Sequence, residues 1–235
     1  MQTVHCEWGL PGIDRHKRQV AVLVIVDVLS FSTAVDIAVA RGAVIRPFPL
    51  GDEAAADAAS RAAGALLARP RRTAGGQFSL SPASLEPIPP GTHLLLPSPN
   101  GARLSLAGGD RAVFAGCLRN AAAVARAALA AAAGRDIAVI PAGERWPNGS
   151  LRPAIEDWLG AGAIIAALGI ATSPEARLAA ISYRAAGPDC AELVRGSVSG
   201  MELIDAGFSR DVTLAVQTGT SVAAPRLVGG AYQAG

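Results

Sequence analysis

Four times along the chain an unbroken apolar run stops at a short polar or Gly/Pro turn. Val20 to Val26 leads into Asp27-Val28-Leu29-Ser30-Phe31-Ser32-Thr33, and Leu94-Leu95-Leu96 into Pro97-Ser98-Pro99-Asn100-Gly101. Ala112-Val113-Phe114 leads into Gly116-Cys117-Leu118-Arg119-Asn120, and Ile137 to Ile140 into Gly143-Glu144-Arg145-Trp146. Runs this rich in Val, Ile and Leu, without alternation, read as strands buried on both faces of a parallel sheet. The pattern predicts all four loops along one edge, at the carboxyl ends of the strands, where open α/β sheets bind ligands.

Between these runs the periodicity turns helical. After Val26, Ser32 or Thr33 can cap a helix through Ala34 to Ala40, with Gly42 as its left-handed stop. A strand from Ala43 to Phe48 and an Ala-rich helix from Glu53 to Leu67 complete a βαβα pattern. Residues 69–91 hold Pro70, Gly75, Gly76, Pro82, Pro87, Pro89 and Pro90, too many breakers for a regular element, and read as a long loop. A helix over Arg119 to Ala133, a loop over Pro141 to Arg152 and a helix starting near Pro153 follow. Residues 173–209 read as mainly helical, and Val212 to Val216 as a last strand at a sheet edge. The expected fold is a three-layer α/β/α arrangement around a largely parallel or mixed sheet, in a single domain over residues 1–235.

Composition narrows the function classes. The 21 basic and 19 acidic residues are dispersed, with a net charge of +2, so the clustered basic face of a nucleic-acid binder is missing. The three cysteines have no C-x-x-C spacing and point to neither a disulfide framework nor a structural zinc. Nothing at the N-terminus has the order of a signal peptide and no apolar stretch reaches the ~18 residues of a membrane span, so a cytoplasmic location without a membrane partner is expected. A homodimer is left open.

The chemistry concentrates in the four loops. Asp27 ends an otherwise apolar strand, and a carboxylate is costly to bury unless it meets a cation or several donors. A functional role is favoured over turn capping, because Ser30, Ser32 and Thr33 lie just beyond it. Backbone N–H groups and hydroxyls at a helix start form a cradle for phosphate or sulfonate, and the same hydroxyls can serve as plain caps. Glu156-Asp157 opens the helix after the last loop. Adjacent helical residues point ~100° apart, so one is expected to face the strand ends while the other caps backbone or orients a neighbour. Converging carboxylates at Asp27, Glu156 and Asp157 suit a hard cation such as Mg²⁺; acidic residues complementing a helix dipole give the same pattern. Asn100 and Arg103 follow a strand end, and Arg103 is the expected partner of a phosphate or carboxylate. Asn120 reads first as a cap for its helix.

Other signals are set aside. Gly160-Ala161-Gly162 lacks the last glycine of a dinucleotide fingerprint and no strand immediately precedes it. His5, His16 and His93 all lie away from the loop cluster, which argues against a His-based triad or metal site. Cys117 reads as a small buried thiol before it reads as a nucleophile.

In order and spacing, several of these stretches resemble the 2-phosphosulfolactate phosphatase family. They are Val26-Asp27-Val28-Leu29 through Thr33 with Gly42-Ala43, Ser98-Pro99-Asn100-Gly101-Ala102-Arg103, Asn120 before an Ala-rich helix, and Gly143 followed by Glu156-Asp157 with Ala161-Gly162. Residues 20–168 carry these matches, and Asp205-Ala206-Gly207 to Asp211-Val212, with Pro225, resembles the family's C-terminal part. The resemblance implies a Mg²⁺-dependent phosphomonoester hydrolase that releases phosphate and sulfolactate, a step toward coenzyme M. It implies a small phosphorylated anion as substrate, with Asp27, Glu156 and Asp157 as catalytic and metal-binding groups. Ser30, Ser32, Thr33, Asn100, Arg103, Asn120, Glu144 and Arg145 are then its substrate contacts. Two departures bear on the substrate: Ser30 stands where many members have Arg, and the Gly-Glu-Arg and Asn-Ser-Pro stretches expected in the middle loop appear as Gly75-Gly76-Gln77 and Leu80-Ser81-Pro82.

Overall fold

The structure is a computed structural model that describes residues 1–72 and 78–235; Gly75-Gly76-Gln77 lies outside the described residues. The chain runs β1 (Thr3–Cys6), α1 (Gly9–His16), β2 (Val22–Val26), α2 (Phe31–Ala40), β3 (Val44–Pro49), α3 (Glu53–Ala62), β4 (Leu66–Leu67) and β5 (His93–Ser98). It continues through α4 (Gly101–Leu106), β6 (Ala112–Gly116), α5 (Ala121–Ala132), β7 (Ile137–Pro141), the small hairpin of β8 (Glu144–Arg145) and β9 (Leu151–Arg152), α6 (Ile155–Leu168) and β10 (Ala171–Thr172). Then follow α7 (Pro174–Ala186), α8 (Cys190–Arg195), α9 (Val198–Asp205), α10 (Ser209–Ala215), β11 (Pro225–Val228) and β12 (Ala231–Ala234).

Ten strands form one sheet in the order β10-β1-β7-β2-β6-β11-β12-β3-β5-β4. Five of them, β10-β1-β7-β2-β6, are mutually parallel, and so are β3, β5 and β4. The hairpin β11-β12 joins the two blocks through antiparallel pairings at Arg226↔Phe114 and Tyr232↔Ile45. Three successive antiparallel steps make the blocks run in opposite senses. The expectation of four loops at the ends of one parallel set of strands is corrected in one respect: β2, β6 and β7 end together and β5 belongs to the opposed block, although the turn after β5 still bonds to Asp27 and Glu144.

β2 shows how the sheet makes three layers. All five of its side chains are fully buried. Val22, Val24 and Val26 pack with Val124, Val139 and Ile164 on the side covered by α5, α6 and α7. Leu23 and Ile25 pack with Ile13, Phe31, Val35 and Ala38 on the side of α1 and α2. A strand alternates its side chains between faces, so a wholly apolar strand feeds two cores at once. Each such side chain contributes about 1.5–3 kcal/mol by leaving water. Gly160 lets α6 close onto the end of this strand, since an added Cβ would lie 2.7 Å from Val28 Cγ2 and 2.9 Å from Val26 Cγ1.

Two element assignments differ from the sequence reading. The helix from Glu53 ends at Ala62, and Leu66–Leu67 has turned into β4. Val212 to Val216 is not a strand; it lies in and just after the seven-residue α10, too short a helix for a 3.6-residue period to declare itself. The last strands come later, as a hairpin about Gly229-Gly230, both at positive φ (57° and 77°) as a type I′ turn demands.

Candidate active site

Asp27 follows the last residue of β2 and is 6 % exposed. Its Oδ1 accepts the N–H of Phe31 at 3.2 Å and its Oδ2 the N–H of Gly101 at 2.8 Å. The second bond carries the turn after β5 across to β2, so the opposed strand still delivers Asn100 and Gly101 to this carboxylate. Burial raises Asp27 from 3.8 to about 6; the two backbone N–H groups pull the other way and the charge of Glu156 adds to the rise.

Glu156 and Asp157 divide their work as adjacent helical residues do. Asp157 accepts the N–H of Val28 at 2.7 Å and that of Gly143 at 2.8 Å, and so fastens the loops after β2 and β7 to the start of α6. Burial, then the charges of Asp27 and Glu156, hold its carboxyl well above its usual range. Glu156 is 2 % exposed, and its Oε2 is buried without a hydrogen-bond partner. Glu144, on β8, joins the group: it accepts Asn100 Nδ2 at 2.9 Å and is raised from 4.5 to about 7, first by burial and then by Asp27. Four carboxylates thus share one buried region, where the charge of Glu156 disfavours ionisation of Asp27, and the charges of Asp27 and Glu156 that of Glu144 and Asp157.

The remaining residues divide sharply. Ser32 and Thr33 are fully buried and do not cap α2. The Ser32 hydroxyl donates to Ile25 O at 3.1 Å and accepts the Asp27 N–H, while the Thr33 hydroxyl donates to Val28 O at 2.8 Å. These bonds shape the turn and leave no hydroxyl surface for an anion, which corrects the expected cradle at these two residues. Asn120 is fully buried as well; it accepts the Cys117 N–H at 2.8 Å and donates to Ala115 O at 3.3 Å, fixing the turn after β6 in place of the expected substrate contact. Cys117 is buried with its thiol pushed up to about 12, the inert thiol expected. Arg119 is committed to Asp36 at 2.9 Å. Arg103 and Arg145 are exposed and border a cleft of about 340 Å³ with Asn100, Glu144 and Pro99.

One cation at the site was not singled out by the sequence pattern. Arg71, in the breaker-rich stretch after β4, donates through Nη2 to the hydroxyl of Ser30. It brings a guanidinium to Ser30 beside the buried carboxylates. Burial lowers the pKa of this guanidinium from its ordinary value, and the charges of Asp211, Asp27 and Glu144 oppose that shift. The only sequence signal was a cluster of three arginines, Arg69, Arg71 and Arg72, among prolines.

Among the described residues no three His, Cys, Asp or Glu side chains form a ready metal-binding group, Asp27, Glu156 and Asp157 included. None of the described helices is long and apolar enough to cross a membrane. None of the curated proteins matches the chain. A family model, 2-phosphosulpholactate phosphatase, matches residues 12–230. Nearly the whole chain is covered, with the carboxylate group and its loops inside the match, and the protein belongs to the 2-phosphosulpholactate phosphatase family.

Proposed function

We propose that the protein hydrolyses the phosphomonoester of 2-phosphosulfolactate, or of a closely similar small hydroxy acid, in a Mg²⁺-dependent reaction that yields phosphate and the free acid. Release of sulfolactate is a step toward coenzyme M. The observation that carries this reading is the unpartnered Oε2 of Glu156, buried among Asp27, Glu144 and Asp157 with cationic Arg71 nearby. Buried carboxylates at this density lack compensation by the protein alone.

The residues fit a hard cation of low protein coordination. Mg²⁺ is commonly held by one or two carboxylates while keeping waters and substrate oxygens, so the absence of a three-ligand group is no obstacle. Glu156, with its unpartnered Oε2, would hold it together with Asp27, and Asp157 ties the loops after β2 and β7 to α6 beside them. When bound, such an ion neutralises phosphoryl charge and lowers the pKa of coordinated water. Asp27 is kept rigid by Phe31 and Gly101. Glu144, close to neutrality, can exchange a proton at its carboxyl with the departing oxygen or the attacking water. Arg103 and Arg145 border the entrance and attract a phosphorylated anion.

The test is hydrolysis of phosphomonoesters by wild type and Asp27→Asn, with Mg²⁺ and with chelator. Activity should require the ion and fall by roughly 100-fold or more in the variant, since loss of one preorganised charge-stabilising group typically costs that much. Unchanged turnover in a folded Asp27→Asn protein would refute the reading.

A further inference from the structure

Arg71 stands between the carboxylate group and a second, larger cleft. That cleft has a volume of about 610 Å³, and Leu50, Leu80, Leu203 and Phe208 line it along with Arg71. Pro99 borders both this cleft and the smaller one beside Glu144, so the two meet across the turn after β5. The guanidinium lies 5.3 Å from the centre of the Phe208 ring, and its Nη2 also donates to Leu80 O at 3.3 Å. Arg69 is drawn to Asp57 at 3.2 Å, and Arg72 is exposed. Asp52 and Glu53 lie on the same cleft, and Asp52 is occupied as the cap of α3 through the Ala55 N–H at 3.0 Å.

A second buried carboxylate controls Arg71 from behind. Asp211, 1 % exposed at the start of α10, accepts the Ser81 hydroxyl at 2.5 Å and the Ala83 N–H at 3.0 Å, both on Oδ1. Its Oδ2 has no hydrogen bond and faces Arg71 Nε at 3.7 Å, which is buried and unbonded too. The pair is therefore close enough for charge to orient the side chain while its donors stay incompletely used. A guanidinium is a planar fork suited to a carboxylate or sulfonate; stacking on an aromatic ring leaves its edge donors accessible, and with Nη2 on Ser30 and Leu80, the bonds among the described residues leave Nη1 for a ligand.

We infer that Arg71 binds the second acid group of the substrate, the carboxylate or sulfonate beside the ester carbon, and that Asp211 is the positioning residue that aims it. This rests on the phosphoester reading above. The phosphoryl group occupies the carboxylate region with its cation; the remainder of a substrate entering there meets Arg71 at Ser30. A site built around a charged donor rejects analogues that leave it unpaired, so Arg71 selects against esters of neutral alcohols.

The experiment compares kcat/KM for 2-phosphosulfolactate, 2-phospholactate and ethyl phosphate in wild type, Arg71→Met, Arg71→Lys and Asp211→Asn. Arg71→Met should lose roughly 10- to 100-fold on the acid-bearing esters, chiefly in KM, the range of one charge-assisted hydrogen bond, while ethyl phosphate changes by less than about threefold. Arg71→Lys should recover part of that loss, and Asp211→Asn should raise KM for the same esters only. A loss confined to phosphosulfolactate assigns the sulfonate as the bound group; a loss shared with phospholactate assigns the carboxylate. Equal losses on all three esters would overturn the inference. If wild type hydrolyses none of them, calorimetric binding of sulfolactate decides separately: binding abolished in Arg71→Met sustains the role of Arg71, and binding unaffected overturns it.

Discussion

Folding this chain without a bound cation should become less favourable as pH rises through the range where its site carboxylates ionise. Asp27 moves from 3.8 to about 6 on folding, mainly through burial. A raised carboxyl pKa means that the native state holds the proton more tightly than the unfolded chain. Stability from this group is therefore fully present below about pH 4, is lost as pH rises through about 6, and stays lost above it. At about 1.4 kcal/mol per pH unit, the rise corresponds to about 3 kcal/mol. The rise of Glu144 to about 7 shares its cause with Asp27, so the two are not added. The assay is urea unfolding with chelator from pH 4.5 to 8, on wild type and Asp27→Asn. The amide loses one acceptor for the N–H groups of Phe31 and Gly101 and so carries a pH-independent cost of about 1–3 kcal/mol. Against that offset, the variant should gain about 2 kcal/mol on wild type between the ends of the range, because about 1 kcal/mol of the rise is already lost at pH 4.5. A stability difference that stays constant across pH would refute the reasoning, because Asp27 would then titrate alike in both states. Millimolar Mg²⁺ should restore wild type at high pH and leave the variant where it was.

Two further outcomes follow from the packing. Gly101→Ala should destabilise the protein by about 2 kcal/mol or more and abolish phosphatase turnover, because the new Cβ would lie 2.3 Å from Phe31 Cδ1 and 2.8 Å from Asp27 Oδ2; thermal unfolding and ester hydrolysis measure both, and a wild-type melting temperature would contradict it. Asp36→Ala should cost about 3–5 kcal/mol in urea unfolding, since it removes the partner of largely buried Arg119 and the acceptor of the Ser221 hydroxyl at 2.6 Å, whereas a loss below about 1 kcal/mol would mean that solvent reaches that guanidinium.

Asp27 was legible because a single carboxylate ending a wholly apolar strand is expensive unless something uses it. The division between Glu156 and Asp157 was legible from helical geometry, though not which residue took which part; that depended on where Val28 and Gly143 would bring their N–H groups. Ser32 and Thr33 misled because a hydroxyl near a helix start serves turn, cap and ligand with the same residue types, and only the carbonyls of Ile25 and Val28 decided between them. Arg71 was hidden by its setting, as a stretch of breakers has no period from which to infer a direction. The opposed sense of β5 was equally hidden, for an apolar run is the same whichever way its strand points. The closing hairpin did carry a signal in Gly229-Gly230 between two short strands, outweighed by the more apolar Val212 to Val216.

That hairpin sets a condition on how the chain is made. β6 and β3 can each assemble with near neighbours early, but the strands that bridge them, at Arg226 and Tyr232, pair with partners more than a hundred residues upstream. Such distant contacts are slow to close, and during synthesis they cannot form before residues 225–234 have emerged. Until then the edges of β6 and β3 face solvent unpaired, at the stage when a nascent chain is most exposed to strand addition by its neighbours. During synthesis the two half-sheets thus precede the hairpin that unites them, and a chaperone that shields strand edges would act on this protein there.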